Sequence, residues 1–216
     1  MKVPFTTEQF LSVFDNYNSN IFPIQLILAI FGILAVYTLH KNIKNSTPLI
    51  SGVLGFLWIW MGVVYHFAYF TSINKAAWGF GGLFIIQGLL FIATGIFKPK
   101  FEYVINKNTR SVIGEFLAIF GLLLYPAIGL MILGDVNKTI SLGLPCPTTI
   151  FTFGFMILAT AKFPKYLLII PSIWSLIGLS AVFNFGIYQD LMLIVSAATA
   201  DFIILKNNKR EITAKA

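Results

Sequence analysis

The sequence carries very little charge for its length. Only 11% of its 216 residues are Asp, Glu, Lys or Arg, whereas 57% are hydrophobic. Even a large soluble protein keeps a charged surface around its core, so this composition excludes a soluble domain. Three stretches, 45–74, 139–161 and 166–189, contain no charged residue at all. Because a helix needs about 20 apolar residues to cross a bilayer, most of the chain is predicted to lie in lipid.

Cysteine and histidine are also scarce, which limits the chemistry available to the chain. Cys146 is the only cysteine, so an intrachain disulfide and a CxxC zinc or redox motif are excluded. His40 and His66 are the only histidines, too few for the multi-histidine di-iron site of a membrane desaturase. The sequence contains no GxSxG element, phosphate-binding loop or paired-carboxylate motif. We therefore expect no cofactor and assign no catalytic residue.

Apolar segments divide the chain into seven predicted membrane helices, so the expected fold is an all-α integral membrane bundle. Residues 21–205 would form this seven-helix domain, between an amphipathic segment over 1–20 and a basic tail over 206–216. The predicted helices cover residues 21–39, 49–70, 78–97, 112–133, 148–161, 166–185 and 191–205.

The positive charges fall mainly on one side of this threading. Twelve lie in the loops after helices one, three and five or in the C-terminal tail, against Lys2, Lys75 and Lys138 on the other side. Lys and Arg concentrate on the cytoplasmic side of membrane proteins, so the N-terminus is predicted outside and the C-terminus in the cytoplasm. This topology explains the net charge of +7, and the expected partner is a lipid bilayer rather than nucleic acid. The twelve cations are Lys41, Lys44, Lys98, Lys100, Lys107, Arg110, Lys162, Lys165, Lys206, Lys209, Arg210 and Lys215.

The segment before the first membrane helix has the pattern of a short amphipathic helix. Thr6 and Gln9 have the spacing of a capping box, which marks a helix start. We expect the helix to lie on the outer membrane surface, where it either packs over the bundle or gates it. Its apolar residues recur at helical spacing: Phe10, Val13, Phe14, Tyr17 and Ile21.

A weak internal repeat relates the two ends of the predicted bundle. Helices one to three would match helices five to seven in the same orientation, with helix four as the connector. Such a 3+1+3 parallel repeat is one of the known plans of transporters. Four residues recur 116 positions later, namely Pro48, Trp58, Gly62 and Phe67 as Pro164, Trp174, Gly178 and Phe183.

His66 is a candidate functional residue because it lies inside the second predicted helix, four residues before its outer end. The ring nitrogens of a histidine in lipid need partners. Trp58 and Tyr65 fall largely on the same side of this helix, at spacings of three and four residues. The alternative is an interfacial histidine bonded to a loop carbonyl within an aromatic belt.

Cys146 lies between two prolines in the outer loop that leads into the fifth helix. Pro145 and Pro147 fix their own φ angles and lack backbone donors, so we predict a rigid extended turn at Cys146 rather than a helix. Pro147 is then expected to begin the fifth helix, with the hydroxyls of Thr148 and Thr149 in its first turn. Cys146 and His66 are therefore predicted on the same side of the membrane.

Together these features predict a polar pocket that opens outward and binds, or transports, a small solute. A second hypothesis is a membrane enzyme or soft-metal protein that uses His66 and Cys146, with Met61 as a thioether ligand. A third is a structural subunit of a membrane complex. The predicted lining of the pocket is Trp58, Tyr65, His66, Asn74, Cys146, Thr148 and Thr149.

Few other charges lie within the predicted helices. Glu115 and Asp201 each lie five residues from a cation, so pairing or snorkelling is predicted for them, with a proton relay as the alternative. Five polar residues at the predicted outer side either rim a cavity or face water: Gln25, Asn74, Asn184, Gln189 and Asp190.

Three motifs resemble a bacterial family of multi-pass membrane proteins of unknown function. The resemblance implies a bacterial cytoplasmic membrane, and it brings no assigned activity or catalytic residue. The first motif is Trp58-x-Trp60-Met61-Gly62-x-x-Tyr65-His66, continuing to Tyr69-Phe70 and Ile73-Asn74-x-Ala76-Ala77. The other two are Gly143 to Thr152 and the opening Phe5-Thr6-x-Glu8-Gln9-Phe10.

Overall fold

The regular secondary structure of the described residues consists of helices, with isolated β-bridges in the loops. The computed structural model describes residues 4–41, 43, 46–160 and 162–213, with side chains as far as Lys206. The side chains of the predicted basic tail beyond Lys206 lie outside the described residues. The helices are α1 (Thr7–Ile21), α2 (Ile24–His40), α3 (Ser46–Trp60), α4 (Ala77–Ile92), α5 (Thr109–Ile119), α6 (Tyr125–Leu133), α7 (Pro145–Leu158), α8 (Ile169–Phe185) and α9 (Leu191–Thr213).

Several of these helices continue through segments of different helical pitch. A π-helix over Met61–Tyr69 and a 3-10 turn over Phe70–Ser72 extend α3, and a π-helix over Phe120–Leu124 joins α5 to α6. A further π-helix, Ala93–Phe97, extends α4. The 3-10 turns Lys165–Leu168 and Tyr188–Asp190 precede α8 and α9. Long π-helices are rare, and those in proteins often lie at functional sites.

Five helices in the described residues are long and apolar enough to cross a membrane, and a bent pair makes a sixth if it counts as one span. The pair is α1 and α2, whose axes differ by 89°. The predicted fifth span corresponds to α7, which has only 14 residues. At a rise of about 1.5 Å per residue it is roughly 21 Å long, shorter than a hydrocarbon core of about 30 Å. The five long helices are Ser46–Ser72, Ala77–Phe97, Thr109–Leu133, Lys165–Phe185 and Tyr188–Lys206.

Hydrogen bonds from helix side chains to backbone carbonyls define two ends of the bundle. At one end, which we call the α1 end, Tyr17 Oη donates to the Gly143 carbonyl at 3.2 Å and Asn18 donates to the Thr139 carbonyl at 2.9 Å. At the opposite end, which we call the Arg110 end, Arg110 Nε donates to the Ile157 carbonyl at 2.6 Å. The loop before α7 therefore meets α1 at the α1 end.

Helix α1 packs over one end of the bundle, which is the first of the two alternatives predicted for it. Its capping box is confirmed, because Gln9 N donates to Thr6 Oγ1 at 3.2 Å and Thr6 N donates to Gln9 Oε1 at 2.9 Å. The Phe10 ring stacks on Phe185 at 4.4 Å, and the Phe14 ring stacks on Tyr65 at 5.9 Å. α1 therefore covers the ends of α8 and of the π-helix that follows α3.

α7 forms the centre of the bundle. Every α7 residue except Cys146 is buried, so the helix presents no face to lipid. Glycines bring its backbone against α5, and a Cβ atom on Gly154 would lie 2.6 Å from both the Gly114 carbonyl oxygen and the Ala118 nitrogen. Small residues allow such close approach between membrane helices.

We predict that Gly154→Ala destabilises the protein by about 1–3 kcal/mol, because the added methyl group meets backbone atoms that cannot rotate away. The matched control is Gly82→Ala, where a Cβ meets nothing within 4 Å. This control should be neutral or slightly stabilising, since alanine is the better helix former. Thermal unfolding in detergent measures both. Equal melting temperatures for the two variants would contradict the packing of α5 on α7.

Candidate functional site

A buried carboxyl group lies where the starts of α6, α7 and α9 meet. Asp190 is 1% exposed. Tyr125 Oη donates to its Oδ1 atom at 2.5 Å, and the Cys146 thiol donates to its Oδ2 atom at 3.5 Å. The three side chains come from different parts of the sequence, so tertiary packing alone brings them together. We call Tyr125, Cys146 and Asp190 the carboxyl cluster.

Local backbone features place each member of the cluster. Gly186 ends α8 with a φ of 69°, which lets the chain turn into the 3-10 turn that carries Asp190. Tyr125 follows the π-helix Phe120–Leu124. The wider turn of a π-helix changes the direction in which the residues after it point. Cys146 is the second residue of α7.

The predicted extended turn at Cys146 is wrong, because α7 begins at Pro145 and Cys146 is helical. The first residues of a helix have no intrahelical partner for their N–H groups, so a proline there loses nothing. Both prolines therefore fit within the first turn. The extended segment ends earlier, at Leu144, after Gly143 with its φ of 95°.

His66 lies in the π-helix after α3 and is fully buried among aromatic rings. Its ring centroid is 4.6 Å from that of Phe84 and 5.3 Å from that of Trp174. Phe70 and Phe80 complete the surroundings at 5.9 and 6.0 Å. Neither ring nitrogen of His66 has a hydrogen-bond partner among the described residues. The predicted bond from this histidine to a loop carbonyl is therefore not observed.

Trp174 connects His66 to the carboxyl cluster. Its indole stacks edge-on against the His66 ring, and it also lies close enough to the Cys146 sulfur to interact with it. Its buried Nε1 atom nevertheless makes no hydrogen bond of ordinary geometry. Tyr65, the neighbour of His66, is within electrostatic reach of both Cys146 and Asp190. His66 and Cys146 thus belong to one buried region, joined through Trp174 and Tyr65.

The structure places the two threonines of the predicted lining in the first turns of α7. The hydroxyl of Thr148 accepts a hydrogen bond from Gly143 N at 2.9 Å, so it holds the loop before the helix. The hydroxyl of Thr149 is buried without a partner among the described residues. Only Thr149 therefore has an open hydrogen-bonding group.

The other two predicted lining residues have structural partners. Trp58 Nε1 donates to Thr152 Oγ1 at 3.0 Å, and its ring contacts Phe84 beside the histidine. Asn74 is half-buried, and its Oδ1 atom accepts from Ala76 N at 3.0 Å in the turn that begins α4. Trp58 thus borders the region around His66, whereas Asn74 serves its own turn.

Sequence reasoning missed the central roles of Tyr125, Trp174 and Asp190. Asp190 stood only among the outer polar residues, because the last predicted helix began one residue after it. A sequence signal was nevertheless present. Asp190 lies between the charge-free stretch 166–189 and an apolar helix, so no neighbouring Lys or Arg in that stretch can pair with it. Trp174 was noticed only as part of the repeat.

The predicted pairing of Glu115 with Arg110 is not the contact observed at the Arg110 end. Glu115 Oε2 lies 3.7 Å from His40 Nε2, beside a small cavity between α2, α5 and α7. Asp201 accepts a hydrogen bond from Ser172 Oγ at 3.1 Å, while Lys206 lies over the Phe202 ring. The partner of Glu115 is thus a histidine on α2, and the partner of Asp201 is a serine hydroxyl on α8.

The described residues contain no group of three or more His, Cys, Asp and Glu side chains that could hold a metal ion. His66 and Cys146 are separated by contacts through the indole of Trp174 rather than converging on one point. The soft-metal hypothesis therefore gains no ligand set from the described part of the chain.

The fold and site define an all-helical, strongly apolar protein with several helices long enough to span a membrane and a buried carboxyl cluster near one end. The chain belongs to the family described as "Family of unknown function (DUF6064)", whose profile matches residues 7–215. The predicted resemblance to an uncharacterised family is thereby confirmed. No curated protein and no solved structure matches the chain.

We predict that Tyr125→Phe destabilises the protein by about 1–3 kcal/mol, because it removes one of the two hydrogen bonds to a buried carboxyl group. The control is Tyr166→Phe, at a tyrosine that is 48% exposed. It should change the stability little. Thermal unfolding of the purified proteins at one pH provides the comparison. If both variants unfold at the wild-type temperature, the Tyr125 bond to Asp190 does not support the fold.

Proposed function

We propose that this protein binds a small polar solute in the buried region around Trp174 and Cys146. The observation that carries the proposal is a set of buried polar atoms without partners among the described residues. Native proteins pair nearly all such groups, and those left open are commonly completed by water or a ligand. The atoms assigned to this region are His66 Nδ1 and Nε2, Thr149 Oγ1 and Trp174 Nε1.

The open groups indicate what kind of solute would fit. Trp174 offers a donor, and His66 and Thr149 can each donate or accept. A small solute that both donates and accepts hydrogen bonds would satisfy this set without a countercharge. Trp58, Cys146 and Thr148 then belong to the walls of the site, in keeping with the predicted lining.

α1 is the proposed cover of this site. Its Tyr17 and Phe14 rings both contact Tyr65, at 5.8 and 5.9 Å between centroids. Tyr17 Oη also accepts a hydrogen bond from Trp60 Nε1 at 2.7 Å. A solute that enters from the α1 end would have to pass beside this helix.

The topology forms part of the same proposal. We infer seven crossings by α2, α3, α4, α5 with α6, α7, α8 and α9, with α1 lying on the outer surface of a bacterial cytoplasmic membrane. The distribution of Lys and Arg supports this orientation. The short α7 crosses inside the bundle, where protein rather than lipid surrounds its ends. Binding near the outer side is the first step of either uptake or sensing. Transport of the bound solute is the more specific version of this proposal.

Cysteine accessibility tests whether a polar solute can reach the site. In intact cells, the small impermeant reagent trimethylammonium-ethyl methanethiosulfonate should modify Cys146, and also Thr149→Cys in a Cys146→Ser background. Ser19→Cys on the exposed side of α1 is the positive control. Thr152→Cys, three residues further along α7 and fully buried, is the negative control. Both controls carry Cys146→Ser.

We expect the two site cysteines to react more slowly than the cysteine at position 19 but clearly faster than the one at position 152. Mass spectrometry of the purified protein measures the extent of modification. Site cysteines as unreactive as the one at position 152 would show that no aqueous path reaches the site, and the proposed binding function would be wrong.

A further inference from the structure

Asp190 has no charged partner in its surroundings. It is the only Asp, Glu, Lys or Arg that is buried among the described residues. Its two hydrogen bonds come from neutral groups, the phenol of Tyr125 and the thiol of Cys146. No ion pair within the described part of the chain involves it. A carboxylate in these surroundings would be a buried charge without compensation, which is among the most costly arrangements in a protein.

The other titratable groups near Asp190 cannot supply a positive charge. Tyr125 approaches from α6, Cys146 from α7 and Tyr65 from the π-helix after α3. All three are neutral when protonated and negative when deprotonated, so none can neutralise a carboxylate. α8 contributes the uncharged Trp174. His66 contacts Trp174 and makes no hydrogen bond to the carboxyl group, so a cation from solution is the remaining source of compensation.

The packing favours the smallest cation. Tyr125 is fully buried, Tyr65 is 2% exposed and Trp174 is 8% exposed. Asp190 itself is 1% exposed and both of its carboxyl oxygens are hydrogen-bonded, and a proton needs no additional space there. Tyr188, two residues earlier in the same turn, is 66% exposed, so this turn reaches the surface of the protein.

We propose that Asp190 is a proton-binding site of this protein, which takes up a proton from the aqueous phase at the α1 end and returns it there. In this step a hydronium ion gives its proton to one Asp190 oxygen and becomes water, and no other covalent bond changes. The proposal does not depend on solute binding. Intramembrane carboxyl groups that bind protons are typical of proton-coupled membrane proteins.

The thiol of Cys146 provides a built-in reporter of this step. It donates to Asp190, and a hydrogen bond to a charged acceptor is roughly twice as strong as one to a neutral acceptor. Protonation of the carboxylate should therefore weaken the thiol's bond and shift its S–H stretching vibration. Because the chain has a single cysteine, this infrared band has only one source.

The experiment is an infrared titration of the full-length protein in lipid bilayers, from about pH 4 to pH 9, the range in which buried carboxyl groups titrate. We expect a reversible shift of the S–H band together with the appearance of the C=O band of a protonated carboxyl group. Asp190→Asn should abolish both changes. Asp201→Asn, at a half-buried carboxyl on α9, the helix that follows Asp190, should leave the S–H change intact. Cys146→Ala should remove the S–H band and keep the carboxyl change.

An S–H band that stays constant over the whole titration of the wild-type protein would overturn the proposal. So would an S–H shift that persists unchanged in Asp190→Asn. If Asp190→Asn does not fold, the wild type, Asp201→Asn and Cys146→Ala still test the proposal. Loss of the C=O change in Asp201→Asn would assign the titration to Asp201 and contradict the proposal. These outcomes are independent of the accessibility test, so the two proposals can fail separately.

Discussion

The burial of α7 on every side is the constraint on which the rest of the structure depends. A helix without a lipid-facing surface can be shorter than the bilayer, because neighbouring helices rather than lipid surround its ends. The contact of Gly154 with the backbone of α5 fixes how closely the bundle closes around it. The first turn of α7 then faces the starts of α6 and α9, and Cys146 is placed beside Asp190.

The polar groups near this first turn form the costliest part of the fold. A bundle built only for stability would place apolar side chains at Asp190 and His66, since isolated buried polar groups oppose folding. Instead, the carboxyl cluster, the unpartnered histidine and the indole of Trp174 lie together beneath α1. Local departures from the rules of stability are commonly found at functional sites. This concentration at one end of the bundle is what links the fold to the proposed binding and proton uptake.

Local sequence signals predicted the features that depend on near neighbours. The capping box of Thr6 and Gln9 and the buried stripe of α1 follow from helical spacing, and both are observed. The start of α7 is predicted two residues late, at Pro147 instead of Pro145, because Pro145 is assigned to an extended turn although the first helical turn tolerates proline. The role of Asp190 depends on Tyr125, which lies 65 residues away, so no local pattern could reveal it. His66 was found because a histidine in an apolar helix is unusual, but its aromatic surroundings come from other helices.

The central claim is that this bundle crosses a membrane with the α1 end, and therefore the buried site, facing outward. Labelling with an impermeant maleimide in intact cells tests it most directly, using Ser19→Cys at the α1 end and Glu102→Cys at the Arg110 end, both exposed and both in a Cys146→Ser background. The account predicts labelling of the cysteine at position 19 in intact cells, and of the one at position 102 only after permeabilisation. Labelling of both in intact cells, or of position 102 alone, would contradict it.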